Sequence, residues 1–376
     1  MQFMRGIAGY FQGEINWFTP TEIPKDNIVT LDESRRKISE DAKRFTTISG
    51  MNSVLLTSRA TIGTVAVLST ASGYNQGIKG IEPGEELDTW YLAHWLTARK
   101  DDIISKASGT TFKEISTNKV KELEIPLPPL SEQKKIVSKL EDVLEKIEKA
   151  KGNAEKNLQN SRELFESYLQ SIFTNIGKKW EEVALSELAT DITDGDHMPP
   201  PKAAKGIPFI TISNIDKESH KIDFSNTFKV SKEYFQKLKT NRKPMKGDIL
   251  YTVTGSFGIP VIVDSDLEFC FQRHIGLIRP STQLNSKWLY YWILSPQSMK
   301  QANDSATGTA QKTVSLTALR NFMLPKLTLI EQKEIVKKLD ELSEQTKQLE
   351  SIYKQKIADL EELKKSVLDK AFKGEL

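Results

Sequence analysis

The sequence predicts an α+β protein: two similar β-rich globular modules separated by two long antiparallel helices, arranged as a pseudo-two-fold internal repeat. Three observations lead there. First, the chain is written twice. SGTTFKEISTNKVKELEIPLPPLSEQKKIVSKLEDVLEKI at 108–147 lies over TGTAQKTVSLTALRNFMLPKLTLIEQKEIVKKLDELSEQT at 307–346, and a repeat of this kind decides the architecture. Second, each copy follows short β-branched segments punctuated by glycine. Third, each copy runs through a proline stop into a long proline-free stretch with apolar residues three and four apart.

The elements follow in order. GEINWFTPTEI (13–23) opens the first module and is echoed by GIPFITISNI (206–215). Segments 53–57 and 64–68 read as strands joined by a turn at 58–63, and 248–253 and 259–263 as strands joined by a turn at 254–258. YNQGIKGIEP (74–83) recurs as FQRHIGLIRP (271–280). A compact helix is expected around 90–97 and again around 288–294, with Trp90 and Trp288 as core anchors. IPLPPL (125–130) and LPKLTL (324–329) end the modules, because proline and the residue before it resist helix. Ser131-Glu132-Gln133 then starts a helix with its acid in the first turn, where the dipole favours it.

That helix is expected from Ser131 to about Phe173, and about 43 residues at ~1.5 Å each span roughly 65 Å. Its seam carries Leu140, Leu144, Ile147, Ala154, Leu158 and Phe165; the second carries Leu339, Leu342, Leu349, Tyr353, Leu360 and Val367. Lys151, Thr346, Glu350 and Lys364 interrupt the stripes, so each helix needs the other to bury its narrow apolar face. The second module repeats the first, so the pair must run antiparallel with the modules at its two ends. The expected division is module 1–128, helix 129–177, module 178–327 and helix 328–376.

Composition excludes several classes. The 376 residues carry 53 Lys and Arg against 50 Asp and Glu, a net +3, so bulk charge does not advertise nucleic acid. Only local runs stand out: Arg35-Arg36-Lys37, and the acid-free stretch holding Lys237, Lys239, Arg242, Lys243 and Lys246. No apolar run approaches the ~18 residues of a membrane span, and the first residues lack a signal-peptide layout. The lone Cys270 excludes a disulfide framework and fits a reducing cytoplasm. His94, His197, His220 and His274 have no paired metal spacing. Phosphate-binding glycine loops and a nucleophile elbow are absent from the sequence, so no catalytic residue and no metal ligand is assigned. DGDHMPPP (194–201) reads as a polar loop rather than a metal cluster.

The two turns admit two compatible readings: hairpin turns whose glycines supply positive φ, or rigid loops presenting donors to phosphates and base edges. Arg59, Thr61, Asn75 and Gln76 are the candidates in the first module, and Thr254, Ser256, Gln272 and Arg273 in the second. Thr110 and Lys113, with Thr309, Gln311 and Lys312, fall in S/T-G-T-x-x-K segments that read as helix N-caps or as phosphate clamps.

The repeated I/L-P-x-x-x-L-x-E-Q-K-x-I-V signature resembles that of the specificity (S) subunits of Type I restriction-modification systems. It is carried by Ile125-Pro126 with Glu132–Val137 and by Leu324-Pro325 with Glu331–Val336. Gly13–Phe18 and the closing KAFKGEL add to it, so the resemblance spans the chain. It implies a non-catalytic subunit whose modules are target recognition domains, each reading half of a bipartite, asymmetric double-stranded DNA site. The helices would space the modules and dock two modification (methyltransferase) subunits through Glu132, Gln133, Leu140, Ile147, Leu158, Glu331, Gln332, Leu339, Leu349 and Leu360. Restriction (translocase/endonuclease) subunits would complete the complex. S-adenosylmethionine, Mg²⁺ and ATP would sit on those partners, with no cofactor in this chain and no membrane. One departure is expected to leave the first module shortened: nothing upstream of GEINW matches 180–193. The alternatives are an S-like subunit of a Type II-like assembly and a truncated or silent S variant. A coiled-coil adaptor would not need two loop-rich modules, and a stand-alone methyltransferase or nuclease lacks its motifs.

Overall fold

The architecture, taken from a computed structural model, is described for residues 8–109, 113–176, 181–198, 200–309 and 311–375. The chain forms two compact units, 1–156 with 354–376 and 157–353, so each long helix contributes one stretch to each unit.

In the first unit the VLLT and VAVL runs form strands Val54–Thr57 and Val65–Leu68, paired antiparallel with Val54 opposite Val67 and Leu56 opposite Val65. Every residue of both strands is buried, so the sheet is covered on both faces. Period-two alternation sorts the side chains. Val54, Leu56, Val65 and Val67 join Tyr91, Leu92 and Trp95 of helix Thr89–Ala98 in one core. Leu55, Ala66 and Leu68 join Phe18 and Tyr74 in another. The sheet reads Val29–Leu31, Val65–Leu68, Val54–Thr57, Ile78–Ile81; a second one reads Lys37–Ile38, Ile15–Phe18, Ser72–Tyr74, Thr47–Ser49.

The second unit repeats three strands of the first of these sheets, Val65–Leu68, Val54–Thr57 and Ile78–Ile81, and among the described residues the fourth strand sits at the opposite edge. Its main sheet reads Ala189–Asp194, Ile275–Pro280, Ile249–Thr252, Pro260–Ile262. Ile249 opposite Ile278 matches Val54 opposite Ile81. Strand Ala189–Asp194 extends the sheet beyond Ile275–Pro280, and strand Glu182–Ala184 pairs with Met323–Pro325. Helix Ser286–Ile293 corresponds to Thr89–Ala98; Asn285 and Asp88 cap the two through their side chains.

The proline stops release helices Leu130–Ile176 and Leu329–Ala371, 47 and 43 residues long. In the first unit Lys364 bonds Glu148 and Lys151 bonds Glu361, both at 2.7 Å, so the two stretches run in opposite directions. Val137 and Leu140 share a core with Leu368, Ala371 and Phe372. In the second unit Arg162 meets Glu350 at 3.3 Å, and Leu169 and Phe173 share a core with Val336 and Leu339, again antiparallel. Phe173 meets Trp288 edge-on with centroids 6.1 Å apart. Among the described residues no helix is long and apolar enough to cross a membrane.

Candidate nucleic-acid interface

The same three backbone devices gather the loops of each module. The first is a threonine at the end of the leading strand. Thr64 N–H donates to Thr57 Oγ1 at 2.9 Å, and that hydroxyl donates to the Thr61 carbonyl. In the second module Ile259 N–H donates to Thr252 Oγ1 at 3.0 Å, and the hydroxyl donates to the Ser256 carbonyl at 2.8 Å. The second device is a bridge from the turn to a later loop, Arg59 to Glu114 and Thr254 to Thr313. That loop is closed by a reciprocal backbone pair, Ser108 with Glu114 and Thr307 with Thr313. The third fixes the end of a parallel strand: Asn75 N–H donates to the Phe18 carbonyl and Gln272 N–H to the Ile210 carbonyl, both at 3.0 Å.

These devices put most of the candidates beside open grooves. In the first module Thr61 and Lys113 line a groove of about 480 Å³ with Lys25 and Lys100. Asn75 and Gln76 line another of about 460 Å³ with Lys79 and Thr117. In the second, Thr254, Arg273 and Gln311 share one of about 410 Å³ with His197 and His274. Gln272 and Arg273 line a neighbour of about 360 Å³ with Asp196, Phe209 and Phe228. Arg273, Gln76, Lys113 and Lys312 are exposed. Arg59 stands apart, 3.5 Å from Glu114, which also lies 3.7 Å from Lys79. Ser256 Oγ accepts from Lys217 Nζ at 2.8 Å.

The N-cap reading of the S/T-G-T-x-x-K segments is corrected. Thr110 lies outside the described residues, but Lys113, Thr309 and Lys312 belong to the closed loops. The caps are Ser116 and Ser315, whose hydroxyls accept from Lys119 N–H at 3.3 Å and Ala318 N–H at 3.1 Å.

One constellation escaped the sequence reading. Arg242, from the acid-free basic run, reaches Asp194 at 3.1 Å and Asp196 at 3.6 Å, while His197 bonds Asp194 at 2.9 Å. Burial raises the Asp196 carboxyl above its ordinary range although Arg242 opposes this. Asp194 and Asp196 line the two neighbouring grooves, where a carboxylate would repel a polyanion, and Arg242 offsets part of that charge. The only hint in the sequence was an unopposed basic run far from an acid pair. Among the described residues no His, Cys, Asp and Glu group could hold a metal. Cys270 is buried and its thiol is pushed up to about 12, so it is no thiolate nucleophile.

On the helices, several docking candidates turn out to be internal. Gln133 is 0% exposed: it accepts from Asp88 N–H and donates to the Glu86 and Pro128 carbonyls, all at 2.8 Å. Gln332, 1% exposed, accepts from Asn285 N–H at 2.7 Å and donates to the Gln283 and Leu327 carbonyls at 2.9 Å. Each glutamine fastens the capped start of a module helix to the first turn of a long helix, and its hydrogen bonds leave nothing for a partner. Leu140, Leu339 and Ile147 are likewise buried. A charge at Leu140 or Leu339 would disrupt a module core rather than detach a subunit selectively. Glu331 accepts from Thr328 N–H and Oγ1 in a capping box, and Glu132 pairs with Lys135 at 3.3 Å. Leu158 and Leu360 are half-buried, and Leu349 is exposed.

Two modules of one plan, each displaying a polar loop corner and each joined to a long helix, define a duplicated recognition subunit. The sequence model of the family described as "Type I restriction modification DNA specificity domain" matches residues 9–156 and 177–361. The chain belongs to this family: it is a specificity subunit of the Type I restriction-modification class, and its role is DNA recognition. It is 27% identical over 329 residues to the Type I restriction enzyme EcoBI specificity subunit of Escherichia coli, covering 80% of this chain and 69% of that one. It is 26% identical over 397 residues to the MjaIX specificity subunit of Methanocaldococcus jannaschii, covering 98% and 88%. Among solved structures, a chain described under complex assembly and conformational transition of the type I R-M system shares the fold. Its TM-score is 0.74 at 24% identity, with 88% of this chain and 83% of that one covered. The HsdS subunit from Thermoanaerobacter tengcongensis gives 0.60 at 21%, covering 96% and 91%.

Proposed function

We propose that each module reads one half of a bipartite double-stranded DNA site. Arg59, Thr61, Asn75, Gln76 and Lys113 face one half; Thr254, Ser256, Gln272, Arg273 and Lys312 face the other. The observation that carries this reading is the same loop corner built twice on different side chains: fixed backbones hold the loops, and their residues differ between modules. Phosphate contacts position a protein on DNA, and base-edge contacts specify the sequence. A chain of net charge +3 therefore depends on partners for much of its electrostatic grip. The helices set the spacing between half-sites and dock two modification subunits, with restriction subunits joining. S-adenosylmethionine, Mg²⁺ and ATP act on those partners, and the assembly works in the cytoplasm. The family match does not favour a Type II-like assembly.

Arg273 is exposed at the groove and able to take a guanine edge in a bidentate pair. Arg273→Ala should cost about 1–3 kcal/mol and relax one half-site only. The measurement is the methylated motif in cells expressing the variant with its cognate modification subunit. Equal relaxation of both half-sites, or none, refutes the assignment.

A further inference from the structure

The turns of the two modules are built from matched positions but are wired differently. Phe18 and Ile210 accept the matched backbone bonds from Asn75 and Gln272. Each then runs through a single helical turn to Ile23 or Ile215, which share one extended conformation. Two residues further on stand Lys25 and Lys217. In the turns, Thr57 and Thr252 donate to the Thr61 and Ser256 carbonyls, so Thr61 corresponds to Ser256 and Gly63 to Gly258. Lys100 and Met299 lie against those glycines: a methyl group added at Gly63 would meet Lys100 Cγ at 2.7 Å, and one at Gly258 would meet Met299 Cε at 2.7 Å.

In the second module the lysine serves the turn. Lys217 Nζ donates to Ser256 Oγ at 2.8 Å, and Met299 brings no charge. In the first module the matching lysine and hydroxyl line one groove, yet no bond joins them. Thr61 Oγ1 is buried without a hydrogen-bond partner among the described residues, although the Thr61 carbonyl accepts from the Thr57 and Thr64 hydroxyls. Lys100 and Lys113 line the same groove. Among the described residues, these three lysines make no ion pair and no acid lines the groove. Ile62 and Ile104 form part of its wall, so charge there is screened less than on an open surface. Like charges gathered on one groove repel, and an unpaired buried hydroxyl is unfavourable. An anion relieves both.

From these observations we infer that this groove is a phosphate clamp: Lys25, Lys100 and Lys113 neutralise one backbone phosphate of the DNA, and the Thr61 hydroxyl turns about χ1 to donate to it. The inference rests on the reading that the first module faces DNA, and it gives Thr61 and Lys113 a backbone rather than a base-edge role. Phosphate contacts fix register and orientation without carrying sequence. The matching place in the second module is satisfied from within, by the Lys217–Ser256 bond and the Met299 side chain. The grip is therefore unequal: the first module holds the backbone at its turn, and the second does not.

The test measures the DNA affinity of the full chain with its cognate modification subunit as a function of salt. Lys100→Met copies the second module, so the stem over Gly63 is kept and only the charge is lost. Lys25 is exposed, and Lys25→Gln leaves the fold intact. The double variant should lower the slope of log K against log[salt] by about 1, the loss of one phosphate contact. A slope change of that size is about tenfold in affinity between ~1 M and ~0.1 M salt. The loss should be equal on duplexes with and without the methylated motif, and the motif itself should not change. An unchanged slope, or an altered half-site sequence, overturns the inference. Gln76→Ala separates the two levels. If it relaxes one half-site while the lysine variants leave the slope unchanged, the clamp alone falls; if the motif also survives Gln76→Ala, the reading of the first module falls with it.

Discussion

Gln332→Leu isolates the fastening of a module to its helix. Leucine keeps the volume of the side chain but removes one acceptor and two donor bonds at a site 1% exposed. Asn285 N–H and the Gln283 and Leu327 carbonyls then lose their partners, at about 1–3 kcal/mol for each one that water does not reach. Local relaxation and the better burial of leucine recover about 2 kcal/mol, so the expected net loss is about 3 kcal/mol. With urea slopes of about 1–3 kcal/mol/M, the unfolding midpoint falls by ~1–3 M. Tryptophan fluorescence reports it directly, because Trp288 and Trp292 lie in the core next to the cap. Amide exchange at Asn285 should quicken at the same time. Gln133→Leu should reproduce the loss in the first unit, where the same three bonds are made. A loss under about 0.5 kcal/mol with unchanged Asn285 exchange would show that the glutamine is not the fastener.

Two further outcomes follow from local geometry. Ala60 holds φ 66° where the matching turn has Gly255 at φ 73°. Left-handed backbone costs an L-residue about 1–2 kcal/mol, offset in part by glycine's looser unfolded chain. Ala60→Gly should therefore stabilise by about 0.5 kcal/mol in urea unfolding and Gly255→Ala should destabilise; stabilisation by both would refute strain as the cause. His94 is 5% exposed with neither ring nitrogen hydrogen-bonded, and burial holds its pKa down to about 4. Glu141, 3.7 Å away and half solvated, is too distant to hold the proton. The folded state binds the proton less well than the unfolded one. Stability is therefore full above pH ~6.5 and lost as pH falls towards 4, by up to about 3 kcal/mol. His94→Phe should flatten that limb in unfolding measured from pH 7 to 4, and an unchanged slope would place the titration elsewhere.

The counterpart of His94 shows how far one template can diverge. In the second unit Tyr291 takes its place and Asp340 that of Glu141, and the tyrosine hydroxyl donates to the carboxylate at 2.8 Å. The repeat aligns both pairs, but only side-chain length decides which becomes a hydrogen bond.

Periodicity and repetition in the sequence determined the larger plan. The doubled strands, the proline stops and the antiparallel helix stretches were legible because each has a one-dimensional signature: alternation, a missing N–H or a heptad stripe. The family was legible because its motif occurs twice. What a side chain touches has no such signature, since contacts join residues far apart in sequence. Gln133 and Gln332 looked like surface docking residues because they are polar and sit in a helix's first turn; the fold turns them inward onto Asp88 and Asn285. Arg242 looked like free basic charge until folding brought Asp194 and Asp196 to it. Only the tertiary structure showed that Leu319, Phe322 and Leu324 are buried under 181–194 while their counterparts Val120, Leu123 and Ile125 are half-buried, because burial depends on which segment folds over which.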